Sequence, residues 1–220
     1  MPKRYVFFTA LSYAYPIYRP LQEAIRARGD EVAWFLEGEC PDLLKPDEIR
    51  LHTINDVIEY NPLAIFACGN IIYHFLPGIK VSVFHGYPIG KRGEKTSATD
   101  DHFSIRGWFD MYCTQGPSST EYFKQLEAKH QFFKVYQTGW AKVDDYFSSY
   151  KKENDVPTIL YATTFSRGIT SAPVLVDTIS RLVKEKKWNW RLTFHPKLND
   201  QALLDRYRAL ADEYSNVTFV

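Results

Sequence analysis

Tyr5-Val-Phe-Phe-Thr-Ala-Leu11 begins the pattern that decides the fold. This apolar run is followed by helical periodicity over 16–28 and by a second apolar run at 31–36. Short apolar runs that alternate with helices are typical of α/β proteins with a parallel sheet. Ser12 and Pro16 interrupt the apolar stretch, so we predict a buried strand at 4–10 and not a signal peptide.

The same alternation continues to the end of the chain. In the first half the pattern predicts a helix at 54–60, strands at 63–68, 80–84, 109–114 and 133–136, and a helix that Ser118 or Ser119 caps and that ends near Lys129. In the second half it predicts strands at 158–162, 190–194 and 216–220 and helices over 172–186 and 199–214. The polar segment 149–157 is the predicted linker between a domain at 1–148 and a partial domain at 158–220. We expect a truncated second domain, because its last strand would leave an apolar sheet edge unpaired.

Composition excludes several classes of protein. The chain has 220 residues, of which 45% are hydrophobic, enough for a sizeable core, and its formal charge of +1 argues against a nucleic-acid partner. Cys40, Cys68 and Cys113 form neither a metal-binding pair nor an even disulfide framework, so we predict a reducing, cytoplasmic location. No apolar stretch approaches the roughly 20 residues of a membrane span.

Two segments share one design, in which a strand ends in a histidine and a loop of Gly, Pro and Lys follows. They read Val81-Ser-Val-Phe-His85-Gly-Tyr-Pro-Ile-Gly-Lys-Arg-Gly93 and Trp190-Arg-Leu-Thr-Phe-His195-Pro-Lys197. The carboxyl ends of strands border the ligand crevice of an open α/β sheet. Histidine moves protons near neutral pH, and Lys and Arg hold phosphate, so the pair predicts phosphoryl-group chemistry. The alternatives are a solvated surface loop after His85 and a merely structural His195.

Two more segments follow strands and are candidates for substrate binding. Thr163-Thr-Phe-Ser166-Arg167-Gly168 offers hydroxyls and backbone amides to a phosphate, although simple helix capping would place the same groups there. Thr138-Gly139-Trp-Ala-Lys142 either lines the cleft or only orients the two halves. The candidate catalytic residues are His85 and His195, and the candidate substrate-binding residues are Gly86, Lys91, Arg92, Gly93, Gly139, Lys142, Thr163, Thr164, Ser166, Arg167, Pro196 and Lys197.

Other kinds of site are disfavoured. Asp100-Asp101-His102 has no third ligand at metal spacing, so we predict no metal. The GxSxG elbow, the Walker phosphate loop and the dinucleotide GxGxxG motif are absent, and we predict no cofactor.

Four segments, taken in order, resemble the CDP-glycerol glycerophosphotransferase family, whose members build teichoic-acid-type surface polymers. They are Phe84–Gly93, Thr138–Phe147, Thr158–Arg167 and Leu192–Lys197, so the resemblance covers roughly residues 80 to 220. It implies a GT-B-like architecture, in which two Rossmann-like halves face a substrate cleft. The first half would serve the acceptor and the second the nucleotide donor.

The resemblance also implies a reaction. Members of the family transfer glycerol phosphate from CDP-glycerol to a hydroxyl of a lipid-linked or polymer acceptor and release CMP. His85 matches the histidine of the family's His-Gly motif, the candidate base for the acceptor hydroxyl, and His195 matches the histidine of its His-Pro motif, which contacts the donor phosphates. Ser166 and Arg167 would hold the pyrophosphate. A lipid-linked acceptor would bring the protein to the inner face of the membrane as a peripheral protein. Independently of the resemblance, the unpaired apolar sheet edge of the second half would allow an oligomer to form.

The chain departs from the family at some positions. Tyr87 stands where a small Thr is common, Ala162-Thr163 replaces Ala-Pro, and the chain ends before an Asp-Tyr-Ser-Ser motif. Two alternatives stay open. One is a GT-B glycosyltransferase or UDP-sugar 2-epimerase, and the other is an inactive nucleotide-binding fragment.

Overall fold

The computed structural model describes residues 1–86, 105, 108–144, 146 and 155–220. The chain forms two compact units, Met1–Tyr150 and Lys151–Val220. Within the described residues, strands alternate with helices in both units, and all strand pairs are parallel. The predicted α/β fold class is therefore confirmed.

The first unit is built on a seven-stranded sheet, counted over the residues that the structure describes. Its strands are β1 (Arg4–Thr9), β2 (Glu31–Leu36), β3 (Ile49–Leu51), β4 (Ala64–Ala67), β5 (Ile79–Ser82), β6 (Met111–Thr114) and β7 (Lys134–Gln137). Its helices include α1 (Tyr15–Arg26), α2 (Ile54–Tyr60) and α3 (Pro117–His130), and short 3-10 turns lie at Ser12–Ala14 and Ala141–Val143. The strand order is β3-β2-β1-β4-β5-β6-β7. The order reverses between β1 and β4, and a crevice at the carboxyl ends of these strands is the usual ligand site of such sheets.

Both faces of this sheet are buried. Val6 and Phe8 pack on the face that also holds Val57 of α2, whereas Phe7 packs on the other face with Tyr18 of α1. Alternate residues of a strand point to opposite faces, so a strand buried on both sides is apolar throughout. This explains the continuous apolar run of β1.

The second unit contains a three-stranded sheet with helices between the strands. Its elements are β8 (Thr158–Thr163), α4 (Ala172–Lys184), β9 (Asn189–Phe194), α5 (Gln201–Glu213) and β10 (Val217–Phe219). The order is β10-β9-β8, so β9 is central. Trp190 and Leu192 of β9 pack with Val176 of α4 and Tyr207 of α5 to form the core.

The structure corrects three details of the predicted elements. The short strand β3 was not predicted, because its three residues, exposed or half-buried at the sheet edge, are too few to form a recognisable apolar pattern. Gly116 is the N-cap of α3, so the predicted capping by Ser118 or Ser119 is wrong, and Ser119 instead lies in the first turn and donates its hydroxyl to the Gly116 carbonyl. β5 ends two residues before Phe84, whose φ of 54° is incompatible with a strand.

The remaining predicted elements agree with the structure to within a few residues at their ends. The predicted linker at 149–157 falls mostly outside the described residues. In the part of the chain that the structure describes, no helix has the length and apolarity to cross a bilayer. The three cysteines are free.

Candidate functional site

His85 lies at the carboxyl edge of the first sheet, three residues beyond β5. Its Nδ1 is 3.0 Å from the carbonyl oxygen of Cys68, the residue that follows β4. A carbonyl oxygen only accepts hydrogen bonds, so Nδ1 carries a proton and donates it. In the neutral imidazole, Nε2 then presents a lone pair, which is the form that a general base requires.

Aromatic residues determine where the His85 ring lies. The ring of Tyr13, from the turn after β1, packs on it with the centroids 4.9 Å apart and the planes tilted by 32°. Phe84 has a φ of 54°, in the left-handed region that bulky residues rarely adopt, and its ring packs against Phe123. Strained backbone of this kind is concentrated at functional sites, because the surrounding structure must hold it there.

The backbone of Cys68 is itself held in place. Its N–H donates to the hydroxyl of Tyr18 at 2.6 Å, and that hydroxyl is 3.0 Å from the Phe8 carbonyl oxygen and 3.2 Å from that of Phe66. Burial raises the pKa of Tyr18 well above its usual range, so the hydroxyl stays protonated. Burial also raises the pKa of the Cys68 thiol to about 11, which makes it a poor nucleophile at neutral pH.

The other predicted residues of the first unit are Gly86, Lys91, Arg92, Gly93, Gly139 and Lys142. Gly86 follows His85, while Lys91, Arg92 and Gly93 lie outside the described residues. Gly139, with a φ of 81°, lines a cavity of about 250 Å³ whose other walls come mainly from α1 and from the segment 138–144 that contains Gly139. Lys142 places its ammonium 5.4 Å from the centroid of the Trp140 ring. Contact of Gly139 or Lys142 with substrate stays a prediction.

His195 has the opposite hydrogen bond. It directly follows β9, and its Nδ1 accepts the backbone N–H of Lys197 at 3.1 Å. Nδ1 is therefore unprotonated, and Nε2 of the neutral ring carries the proton and is a donor. The side chain is exposed, and the ring of Phe165 packs on it at 4.5 Å.

The chain around His195 brings further polar groups to the end of β8. The Thr163 carbonyl accepts the His195 N–H at 3.1 Å, which aligns the ends of β8 and β9. Lys197, beyond Pro196, holds its ammonium 5.6 Å from the centre of the Phe165 ring, and Phe165 is 38% exposed. A donor N–H and a cation thus accompany one exposed aromatic ring, which suits an anionic ligand with a flat group.

Ser166 and Arg167 lie in the loop between β8 and α4, which begins at Ala172 as predicted. The Ser166 carbonyl accepts the N–H groups of Ile169 and Thr170 and closes a turn. The hydroxyl of Thr163 is buried and has no hydrogen-bond partner among the described residues, and Arg167 is exposed.

Sequence reasoning did not identify Tyr13, Tyr18 or Phe165 as part of these sites. Tyr13 and Tyr18 lie some 70 residues from His85 in sequence, and only the β1–β4 pairing brings them to it. The sequence does contain a feature that could have identified these tyrosines. Several tyrosines follow the first predicted strand directly, where the carboxyl edge of the sheet was expected. In the described residues, His, Cys, Asp and Glu do not gather in groups of three that could hold a metal ion.

Solved structures share this fold, whereas no protein-family model and no curated protein matches the chain. A Listeria monocytogenes protein described as a UDP-N-acetylglucosamine 2-epimerase aligns with a TM-score of 0.63 and 13% identity, over 100% of this chain and 69% of that chain. The UDP-GlcNAc 2-epimerase from Neisseria meningitidis, bound to UDP-GlcNAc, gives 0.59 and 12%, over 100% and 72%. A variant of the wall teichoic acid polymerase TagF gives 0.61 and 10%, over 100% of this chain and 61% of that chain. These low identities establish the fold alone, and the predicted GT-B-like fold with Rossmann-type units is confirmed.

Proposed function

We propose that this chain belongs to a transferase that moves glycerol phosphate, or a related polyol phosphate, from a CDP-activated donor to an acceptor hydroxyl. The observation that carries the proposal is the hydrogen bond from His85 Nδ1 to the Cys68 carbonyl, which leaves Nε2 as a base. The order of the four motifs supports the choice of donor. The fold that the chain shares with TagF, which has also been solved after a CDPG soak, is compatible with it.

In the proposed reaction His85 activates the acceptor. The acceptor hydroxyl gives its proton to Nε2 while its oxygen bonds to the phosphorus that bears glycerol. The bond from that phosphorus to the bridging oxygen breaks, and CMP leaves with the electron pair. A base in this position contributes roughly 10²- to 10⁴-fold to the rate.

The second unit is proposed to hold the donor. Nε2–H of His195 donates to a pyrophosphate oxygen, and Lys197 and Arg167 supply positive charge near the same loop. Hydrogen bonds to ionised phosphate are about twice as strong as neutral ones. Phosphoryl transfer depends mostly on positioning and on stabilising charge at the phosphoryl oxygens, so these groups serve catalysis without covalent chemistry.

The acceptor is proposed to be a cell-surface polymer or its lipid-linked precursor, met at the inner face of the membrane from the cytoplasm. The reaction needs only an acceptor hydroxyl that reaches His85. A short polyol-phosphate oligomer is therefore a sufficient acceptor in solution.

The test is release of CMP from CDP-glycerol in the presence of such an oligomer. We expect CMP release and lengthening of the oligomer with the wild-type chain and with His130→Ala, which removes an exposed histidine at the end of α3. UDP-GlcNAc should be neither consumed nor epimerised. Epimerisation of UDP-GlcNAc without CMP release would replace the proposal by the 2-epimerase alternative. Binding of CDP-glycerol without turnover of any acceptor would show a nucleotide-binding protein that lacks this activity.

A further inference from the structure

Tyr18 connects the core of the first unit to His85 through the backbone of a single residue. The Tyr18 hydroxyl accepts the N–H of Cys68 at 2.6 Å, and the carbonyl of Cys68 accepts Nδ1–H of His85 at 3.0 Å. Cys68 lies one residue beyond β4, where the ladder between β1 and β4 has ended. The hydroxyl therefore takes the place of a ladder partner at the point where the two strands separate.

The position of this hydroxyl is fixed by the packing of its ring. Tyr18 is fully buried, stacks on Phe7 with the centroids 4.6 Å apart, and meets Trp34 edge to face. The Phe8 and Phe66 carbonyl oxygens lie 3.0 and 3.2 Å from the hydroxyl, one on each side of the strand junction. A buried polar backbone group that loses its partner shifts toward water or another partner, because leaving it unpaired is costly.

We propose that Tyr18 is a positioning residue for His85. Its hydroxyl holds the Cys68 backbone at the separation of β1 and β4, and the Cys68 carbonyl in turn selects the tautomer of His85 with the proton on Nδ1. Without the hydroxyl, the Cys68 N–H seeks another partner, and the carbonyl on the same residue moves with it. The proposal rests on the proposed function only for the role of His85 as a base. The effect of Tyr18 on the tautomer of His85 does not depend on the proposed function.

Tyr15 provides a matched control on the same helix. Its hydroxyl donates to the Pro41 carbonyl at 2.7 Å and accepts the Leu43 N–H at 3.1 Å, so it makes the same kinds of bond as Tyr18. It is also buried and packs on Trp34. Pro41 and Leu43 belong to the connection between β2 and β3, and no hydrogen bond or ring contact joins Tyr15 to His85 among the described residues. Tyr15→Phe therefore removes comparable bonds without reaching His85.

The experiment measures the tautomer of His85 by ¹⁵N–¹H correlation across the imidazole ring, in the full chain at a pH where the ring is neutral. The His85 signals are assigned by their loss in His85→Gln. We expect the Nδ1–H form to predominate in the wild-type protein and in Tyr15→Phe. In Tyr18→Phe the fraction of the Nε2–H form should rise at least threefold. An unchanged tautomer ratio in Tyr18→Phe overturns the proposal, however much its melting temperature falls.

A second measurement covers the case in which Tyr18→Phe does not fold. In the wild-type chain, the Cys68 amide should exchange with solvent as slowly as the amides within β4, although it lies beyond the ladder. Exchange as fast as that of the next residue, Gly69, overturns the proposal.

Turnover separates this proposal from the proposed function. If CDP-glycerol is a substrate, Tyr18→Phe should lower kcat about tenfold with the donor KM unchanged, and Tyr15→Phe should leave both unchanged. An unchanged kcat in Tyr18→Phe, alongside a shifted tautomer, would show that the tautomer does not limit turnover and would overturn its positioning role. If the wild-type chain turns over no donor, the proposed function fails while the tautomer measurement still decides the structural claim.

Discussion

His85 and His195 each follow a parallel strand, but the backbone offers a different group to Nδ1 at each position. At His85 it offers the carbonyl of Cys68, and at His195 it offers the N–H of Lys197. One neutral ring therefore presents a lone pair at Nε2 and the other presents a proton. The same local sequence design thus produces an acceptor in the first unit and a donor in the second.

The two hydrogen bonds also differ in their reach along the chain. Cys68 is 17 residues from His85 and belongs to the neighbouring strand connection, whereas Lys197 is two residues from His195. His85 is half-buried beneath Tyr13, and His195 is exposed. The chemistry of His85 consequently depends on the packing of the whole sheet, while that of His195 is set by a local turn.

The largest expected effect is a division of kinetic roles between the two histidines. His85→Ala should lower kcat by roughly 10²- to 10⁴-fold with little change in donor KM, because a base is lost and donor contacts remain. His195→Ala should raise the donor KM about 10- to 100-fold, since a hydrogen bond to a charged group is lost. Steady-state kinetics with CDP-glycerol measure both. Equal effects of the two substitutions on kcat and on KM would contradict the contrast between the sites.

The second prediction compares how a glycine substitution affects the stability of each unit. Gly78, just before β5, has a φ of 79°, and a Cβ there would lie 2.3 Å from the Pro62 carbonyl oxygen. Gly78→Ala should therefore lower the free energy of unfolding of the first unit by about 2–4 kcal/mol. In the second unit, a Cβ on Gly168 would meet nothing within 4 Å, so Gly168→Ala should be nearly neutral. Urea unfolding of both variants measures the difference, and similar midpoints would refute this account.

Sequence patterns were sufficient for the elements that bury one or both of their faces. The run of β1 and the periodicity of α1 predicted their positions to within two residues, because burial imposes an apolar pattern that is visible in the chain. The apolar runs at 80–84 and 190–194 likewise placed His85 and His195 at strand ends. β3 was not predicted, since a three-residue edge strand with exposed side chains leaves no such pattern.

The hydrogen bonds that orient His85 could not be predicted from the local sequence pattern. Nothing in the sequence around His85 indicates that its partner is the carbonyl of Cys68, because that contact depends on strand order and on the left-handed turn at Phe84. Likewise, the Tyr18 hydroxyl reaches Cys68 only through the pairing of β1 with β4. For His85, the pattern therefore predicts where the side chain lies, and tertiary structure determines its protonated atom.

The third prediction compares the ion pairs of the two units. The Glu48 carboxylate is inaccessible to solvent and binds Arg19, Gln22 and the Lys45 N–H. Glu48→Gln should lower the free energy of unfolding by about 2–3 kcal/mol at neutral pH, because a buried charged network loses one partner. Asp177 pairs with Arg206 on the surface of the second unit, with side chains 85% and 53% exposed. Asp177→Asn should have no measurable effect.

The pH dependence of the Glu48 effect has a definite sign. Burial acts to raise the pKa of Glu48, but Arg19, the Lys45 N–H and Gln22 outweigh it and lower that pKa below its ordinary value of 4.5. A lowered folded-state pKa gives stability that is complete above the unfolded-state pKa and is lost as the pH falls through the folded one. The difference between wild type and Glu48→Gln should thus shrink below about pH 4.5. A difference that stays constant down to pH 2 would contradict the ionic account.

The smallest expected effect concerns Phe165, the aromatic neighbour of His195. Phe165 packs on His195 and beneath the Lys197 ammonium, and at 38% exposure it contributes little to the core. Ring contacts and exposed cation–π pairs are each worth about 0.5–1 kcal/mol, so Phe165→Leu should weaken donor binding about two- to fivefold without changing stability. Phe75→Leu, at an exposed ring of the first unit, is the matched control and should leave donor affinity unchanged. Calorimetric titration with CDP-glycerol measures both. Equal affinities in the two variants would mean that His195 needs no aromatic support, and the second site would then depend on its turn alone, unlike His85 beneath Tyr13.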